Sequence, residues 1–180
     1  MVLVDSTALM LIFHPDALPP VDPNTEKRVP HAKERIEYLI RTISEDRTRV
    51  LIPTPVLSEL LICSGAKRDE IIREVTSSSV FEVAPFDLKS AIELALLVDG
   101  NGNSAKPRGQ TETRAKLKFD RQIIAIAKAN NIKVIYSDDG GLATVARANG
   151  LTVHTIVDLP LPPASAQEDW VRTGSQPDAG

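Results

Sequence analysis

The sequence predicts an α/β fold, a three-layer α/β/α sandwich around a central, mainly parallel sheet. Short apolar runs recur at Val2-Leu3-Val4, Val50-Leu51-Ile52, Val80 to Val83, Val134-Ile135-Tyr136 and Thr152 to Val157. Most lack polar alternation, which suits strands buried on both faces. The segments between them carry helical spacing, and strands alternating with helices imply a parallel sheet covered on both sides. The first run stops on Asp5 and turns straight into helix-forming sequence, setting an acid at the sheet's carboxyl edge, where such sheets hold their ligands.

Each element has its own local reason. Ser6 or Thr7 can cap a short helix that runs through Phe13, and His14-Pro15 ends it because the residue before proline disfavours the α region. The stretch from Pro15 to Pro30 holds five prolines and few apolar residues, so it reads as a long surface loop of the functional or mobile kind. From Ala32 to Ser44, Ile36, Leu39, Ile40 and Ile43 form one apolar stripe on a charged helix. After the strand at Val50, Thr54 can serve as N-cap and Pro55 as first helical residue, giving a helix to Cys63 with Glu59 in its second turn. A charged helix from Arg68 to Thr76 ends at Ser77-Ser78-Ser79. Asp87 can cap the next, from Leu88 to Val98, which closes at Asp99-Gly100-Asn101-Gly102. A polar loop from Asn103 to Thr113 leads into a helix from Arg114 to Asn130, on which Asp120, near its start, shares a face with Ile123, Ile124 and Ala127. A short helix from Leu142 to Ala148 ends at Asn149-Gly150.

The bulk properties fit one soluble domain. The chain has 180 residues, of which 42% are hydrophobic, enough for a single core. Residues 1–159 form the expected domain. The prolines and small residues of 160–180 suggest a flexible tail, with Trp170 as its one possible anchor. No apolar run reaches the length of a membrane span and no charged leader precedes the first strand, so the expected protein is cytoplasmic and complete from Met1. The single Cys63 cannot form an internal disulfide, and a small buried apolar role is expected for it.

Four acids set against apolar sequence carry the chemistry: Asp5, Glu59, Asp120 and the pair Asp138-Asp139. Singly, each has a plain structural reading. Asp5 could merely cap a helix, Glu59 could face solvent, and Asp138-Asp139-Gly140-Gly141 could be a turn. Asp120 is harder to explain in that way, because an uncompensated carboxylate beside an isoleucine stripe is costly. Taken together, two acids at strand ends and two on helices, with no His or Cys cluster beside them, suggest a divalent-metal site. An all-oxygen donor set favours Mg²⁺ or Mn²⁺ over zinc. His14, His31 and His154 are expected to take no part.

Val-Leu-Val-Asp-Ser-Thr-Ala-Leu at the start, Thr-Pro-Val-Leu-Ser-Glu-Leu-Leu around Glu59, Phe-Asp-Arg-Gln-Ile-Ile-Ala-Ile-Ala around Asp120 and Val-Ile-Tyr-Ser-Asp-Asp occur in the order and spacing of a PIN-domain nuclease. The chain resembles that family from Met1 to Val157, and within it the toxin-type, VapC-like ribonucleases. The resemblance implies that Asp5, Glu59, Asp120 and Asp139 are the catalytic and metal-binding acids, with Ser137 as a supporting hydroxyl and Asp138 as the alternative fourth acid. It also implies metal-assisted endoribonuclease chemistry, an RNA substrate, a homodimer and an antitoxin partner. Asp5, Asp120 and Asp139 are then the direct or water-mediated ligands, and Glu59 assists a second ion or the attacking water.

A net charge of -3 does not announce a nucleic-acid binder. Yet Lys106, Arg108, Arg114, Lys116, Lys118 and Arg121 outnumber Glu112 and Asp120 in the segment feeding the Asp120 helix, and such a segment can hold a phosphate backbone. With seven aromatic residues, base stacking is a minor contributor. The loop at Pro15 to Pro30, the insert at 100–113 and the tail are absent from compact toxins, which leaves a PIN ribonuclease without an antitoxin as the second reading and an inactive RNA- or protein-binding scaffold as the third. Two other classes fit poorly. A dehalogenase-type phosphatase needs an Asp where Thr7 stands, and a phosphoacceptor module needs an early acidic pair.

Overall fold

The computed structural model describes residues 1–14, 16–100 and 114–163. Among these, β1 (Val2–Val4) is followed by α1 (Ser6–Phe13) and α2 (Ala32–Glu45). Next come β2 (Val50–Pro53), α3 (Thr54–Cys63), α4 (Arg68–Ser77) and β3 (Phe81–Ala84). The second half holds α5 (Leu88–Gly100), α6 (Arg114–Ala129), β4 (Val134–Tyr136), α7 (Gly140–Ala148) and β5 (Thr152–His154). The strands form one sheet in the order β3-β2-β1-β4-β5, and every pairing is parallel.

This order explains the composition of the strands. Leu3, Val4, Val50, Leu51, Ile52 and Ile135 lie in the three inner strands and are fully buried, whereas β5 at the edge exposes Thr152. The chain first winds from β1 toward β3, then returns past β1 to β4 and β5. By the right-handed rule for parallel connections, this reversal sets the helices of the two legs on opposite faces. The reversal makes β1 and β4 neighbours, and the crevice beyond their carboxyl ends is the expected ligand site.

The expected helices all form, with differences at several ends. Asp5, not Ser6 or Thr7, caps α1, its Oδ1 accepting from the Ala8 N–H at 3.2 Å. Thr54 is the first residue of α3 instead of its cap, and its hydroxyl accepts from the Phe86 N–H at 3.3 Å. The last strand stops at His154, because Thr155 and Asp158 bond reciprocally and wind Ile156–Asp158 into a 3₁₀ turn. Cys63 is exposed, contrary to expectation. The inward line of α3 runs through Val56 and Leu60 to Ser64, and Cys63 falls beside the exposed Ile62.

The loop before α2 is braced from within. Val21 and Arg28 pair in an isolated antiparallel bridge, while the Asp22 carboxylate accepts from the Asn24 N–H at 2.9 Å and the Thr25 hydroxyl at 3.0 Å. Val29 then enters the core at 1% exposure. Helix α6 is buried on every side from Ile123 to Ala127, so it is a central element of its layer with more than one apolar stripe. The tail expected at 160–180, including Trp170, lies outside the described residues from 164 onward. No described helix is long and apolar enough to cross a membrane.

Candidate active site

Asp5, Glu59, Asp120 and Asp139 all line one open pocket of about 460 Å³ at the reversal point, together with Ser6, Ser58, Ile62, Lys116, Phe119, Ile123 and Leu142. Four elements deliver the acids. Asp5 follows β1 and Asp139 follows β4, while α3 and α6 carry Glu59 and Asp120 in from the two sides. Asp120 sits in the second turn of α6, which starts at Arg114 as expected.

Asp5 is 4% exposed, and both its oxygens are engaged. Oδ1 takes the Ala8 N–H and Oδ2 takes the Ser137 hydroxyl. Burial pushes its carboxyl up from 3.8 to about 7; the Ser137 and Ala8 bonds oppose that rise, and Asp138 and Asp139 add repulsion. A desolvated acid among other acids is a group that a cation would stabilise in its charged form. Ser137 is itself buried, and its Oγ accepts from the Asp139 N–H at 3.0 Å, so one hydroxyl fixes two acids.

The pair after β4 divides its work. Asp139 caps α7: its Oδ1 accepts from Gly141 and Leu142 N–H groups at 2.8 and 3.1 Å, and its Oδ2 faces the pocket. There the Lys116 ammonium meets Oδ2 at 3.0 Å. Burial raises the Asp139 carboxyl, but Lys116 and the two N–H groups outweigh it and hold it below the ordinary value. Asp138 is not among the pocket's lining residues: its Oδ1 accepts from the Ile156 N–H at 3.3 Å, and its Oδ2 is buried without a hydrogen bond. Burial raises its carboxyl above the usual range. By placement Asp139, not Asp138, is the fourth acid of the pocket.

Glu59 is exposed at the rim, one turn before Ile62 on the same face of α3. Ile62, three residues after Glu59, and Lys116, four residues before Asp120, were readable from helical spacing; Ser58 and Phe119, each the chain neighbour of an acid, were not. Of the basic residues expected to hold RNA, Lys116 alone lines the pocket among those described. Lys118 is exposed and Arg121 half-buried, and neither lines it. Lys106, Arg108 and the Arg114 side chain lie outside the described residues.

The donor set suits a hard divalent cation in kind, since its carboxylate oxygens face a common space without nitrogen or sulfur ligands. As the side chains stand, however, no three described His, Cys, Asp or Glu residues are placed to share one ion. Lys116 on Asp139 and the hydrogen bonds on Asp5 take up oxygens that such an ion would need.

The same fold is found in solved structures. VapBC2 from Rickettsia felis bound to a promoter DNA fragment aligns over 86% of this chain and 98% of that one, at 13% identity and a TM-score of 0.55. DNA-bound VapBC from Salmonella typhimurium aligns over 87% and 99%, at 16% identity and 0.50. Mycobacterium tuberculosis VapC20, described as a sarcin-ricin loop cleaving toxin, aligns over 89% and 100%, at 13% identity and 0.51. No curated protein matches the chain. The PIN domain family model matches residues 29–148, well over half of the sequence and the part that carries Glu59, Asp120 and Asp139, so the chain belongs to the PIN domain family.

Proposed function

We propose that the chain is a divalent-metal-dependent endoribonuclease of the toxin-antitoxin kind. The convergence of Asp5, Glu59, Asp120 and Asp139 on one pocket carries this reading. The family supports it, as do structural neighbours that include a sarcin-ricin loop cleaving toxin and two DNA-bound VapBC structures. Asp5, Asp120 and Asp139 would hold Mg²⁺ or Mn²⁺, directly or through water, and Glu59 at the rim would orient the attacking water. A bound ion supplies an activated water and neutralises charge that grows on the phosphate oxygens. Ser137 keeps Asp5 and Asp139 in register, and Phe119, Ile123 and Leu142 supply the pocket's apolar lining beside the acids. A cytoplasmic homodimer silenced by an antitoxin belongs to the same proposal.

Incubation of the protein with mixed RNAs and Mn²⁺ or Mg²⁺ tests it, with chelator and an Asp5→Asn variant in parallel. Cleavage by the wild type alone, and only with metal, is the expected result; cleavage that survives both controls refutes the assignment. Growth arrest on expression, relieved by a neighbouring small protein, separates a toxin from a PIN ribonuclease that has no antitoxin.

A further inference from the structure

The basic segment around Lys116 suggests an RNA contact, yet the Lys116 ammonium lies against an acid of the pocket. The geometry follows from α6, where Lys116, Phe119, Asp120 and Ile123 form one face at helical spacing and all line the cavity. Lys116 is thus one turn from Asp120, and its flexible stem carries the charge across the mouth to α7. The contact is specific about which oxygen it takes. Oδ1 of Asp139 is committed to two N–H groups at the start of α7, leaving Oδ2 as its outward-facing oxygen, and Lys116 holds Oδ2 at 3.0 Å.

We propose that Lys116 is the pocket's built-in counter-cation: a divalent ion must displace it from Asp139, and the displaced ammonium then binds the phosphate of the RNA. The inference rests on the metal-dependent reading above. A single positive charge on a half-exposed stem, 44% accessible against 32% for Asp139, is held weakly and can be exchanged. A doubly charged ion that also reaches Asp5 and Asp120 has the stronger claim on the same oxygen. Once released, the ammonium stays tethered at the mouth, where a compact point charge suits a phosphate oxygen. One residue therefore neutralises Asp139 before loading and adds substrate affinity after it.

This predicts opposite effects of one substitution. Lys116→Met keeps the stem and removes the charge, so Mn²⁺ measured by calorimetry on the full chain should bind roughly three- to tenfold tighter than to wild type. With Mn²⁺ saturating, the same variant should have a raised KM for RNA. Lys116→Arg, which retains the charge, should bind Mn²⁺ as the wild type does. Unchanged or weaker Mn²⁺ binding by Lys116→Met overturns the inference. If instead the wild type shows no Mn²⁺ binding that Asp5→Asn and Asp120→Asn abolish, the metal-dependent reading fails and takes the inference with it.

Discussion

The hydroxyl of Ser137 donates to Oδ2 of Asp5 and joins the carboxyl ends of β1 and β4 where the sheet reverses its winding. The Ser137 Oγ in turn accepts from the Asp139 N–H at 3.0 Å. Two acids 134 positions apart, Asp5 and Asp139, are therefore held by one small side chain.

Removing that side chain's hydroxyl leaves a buried carboxylate and a backbone N–H short of a partner. Ser137→Ala should lose about 1–3 kcal/mol of stability in urea melts, and cleavage should fall with it. Ser137→Thr restores the hydroxyl and should recover most of both. An alanine variant as stable and active as the wild type would show that the bond does not position Asp5.

The raised carboxyl of Asp5 gives stability a definite pH dependence. The folded protein binds this proton more tightly than the unfolded chain, whose Asp titrates near 3.8. The stabilisation is complete below that value and is lost as pH rises through about 7. In chelator, Asp5→Asn should therefore be more stable than the wild type at pH 8, by on the order of a few kcal/mol, and the gap should close toward pH 4. Parallel stability curves for the two proteins across that range would refute it.

The neighbours Asp138 and Asp139 should respond differently to the same chemical change. Asn is nearly as good a helix cap as Asp, so Asp139→Asn should melt within about 1 kcal/mol of wild type yet lose cleavage and Mn²⁺ binding. Asp138→Asn removes a half-buried acid that does not line the pocket, and cleavage should survive it. Rates measured side by side settle which acid serves the site; equal losses would contradict the division.

Depth in the pocket predicts the ranking of the two helix-borne acids. Asp120, at 4% exposure, should be indispensable, with Asp120→Asn lowering cleavage by at least the ~100-fold that supporting metal-site residues are worth. Glu59 is exposed, so Glu59→Gln should leave stability within about 0.5 kcal/mol while slowing turnover. A slower reaction with unchanged Mn²⁺ affinity is the expected pattern for a residue that orients water.

The strands and the placement of the acids were legible because an apolar run that stops on a carboxylate marks both a buried strand and the sheet edge where it ends. Harder to read were side chains with two available partners. Asp5 displaced Ser6 and Thr7 as cap because its extended backbone at the strand's end already aims a carboxylate at the Ala8 N–H. The β-branched residues from Thr152 to Val157 suggested one long strand, and the Thr155 and Asp158 spacing that ends it is a capping signal hidden inside that run. Lys116 looked like one member of a basic segment; its distance of four residues from Asp120 was the sign that it would share the acid's face. Only the family motif favoured Asp139 over Asp138; nothing in the local sequence separated them, since adjacent residues point apart only once α7 and the 3₁₀ turn are in place.

The sheet order also has a bearing on synthesis. Because the first strand lies between the second and the fourth, the amino-terminal acid must wait beside an unfinished edge until more than a hundred further residues have been added. A nascent chain that stops short of the fourth strand lacks both Ser137 and the last acid, so the four-acid pocket does not exist on the ribosome until β4 and the residues after it have emerged.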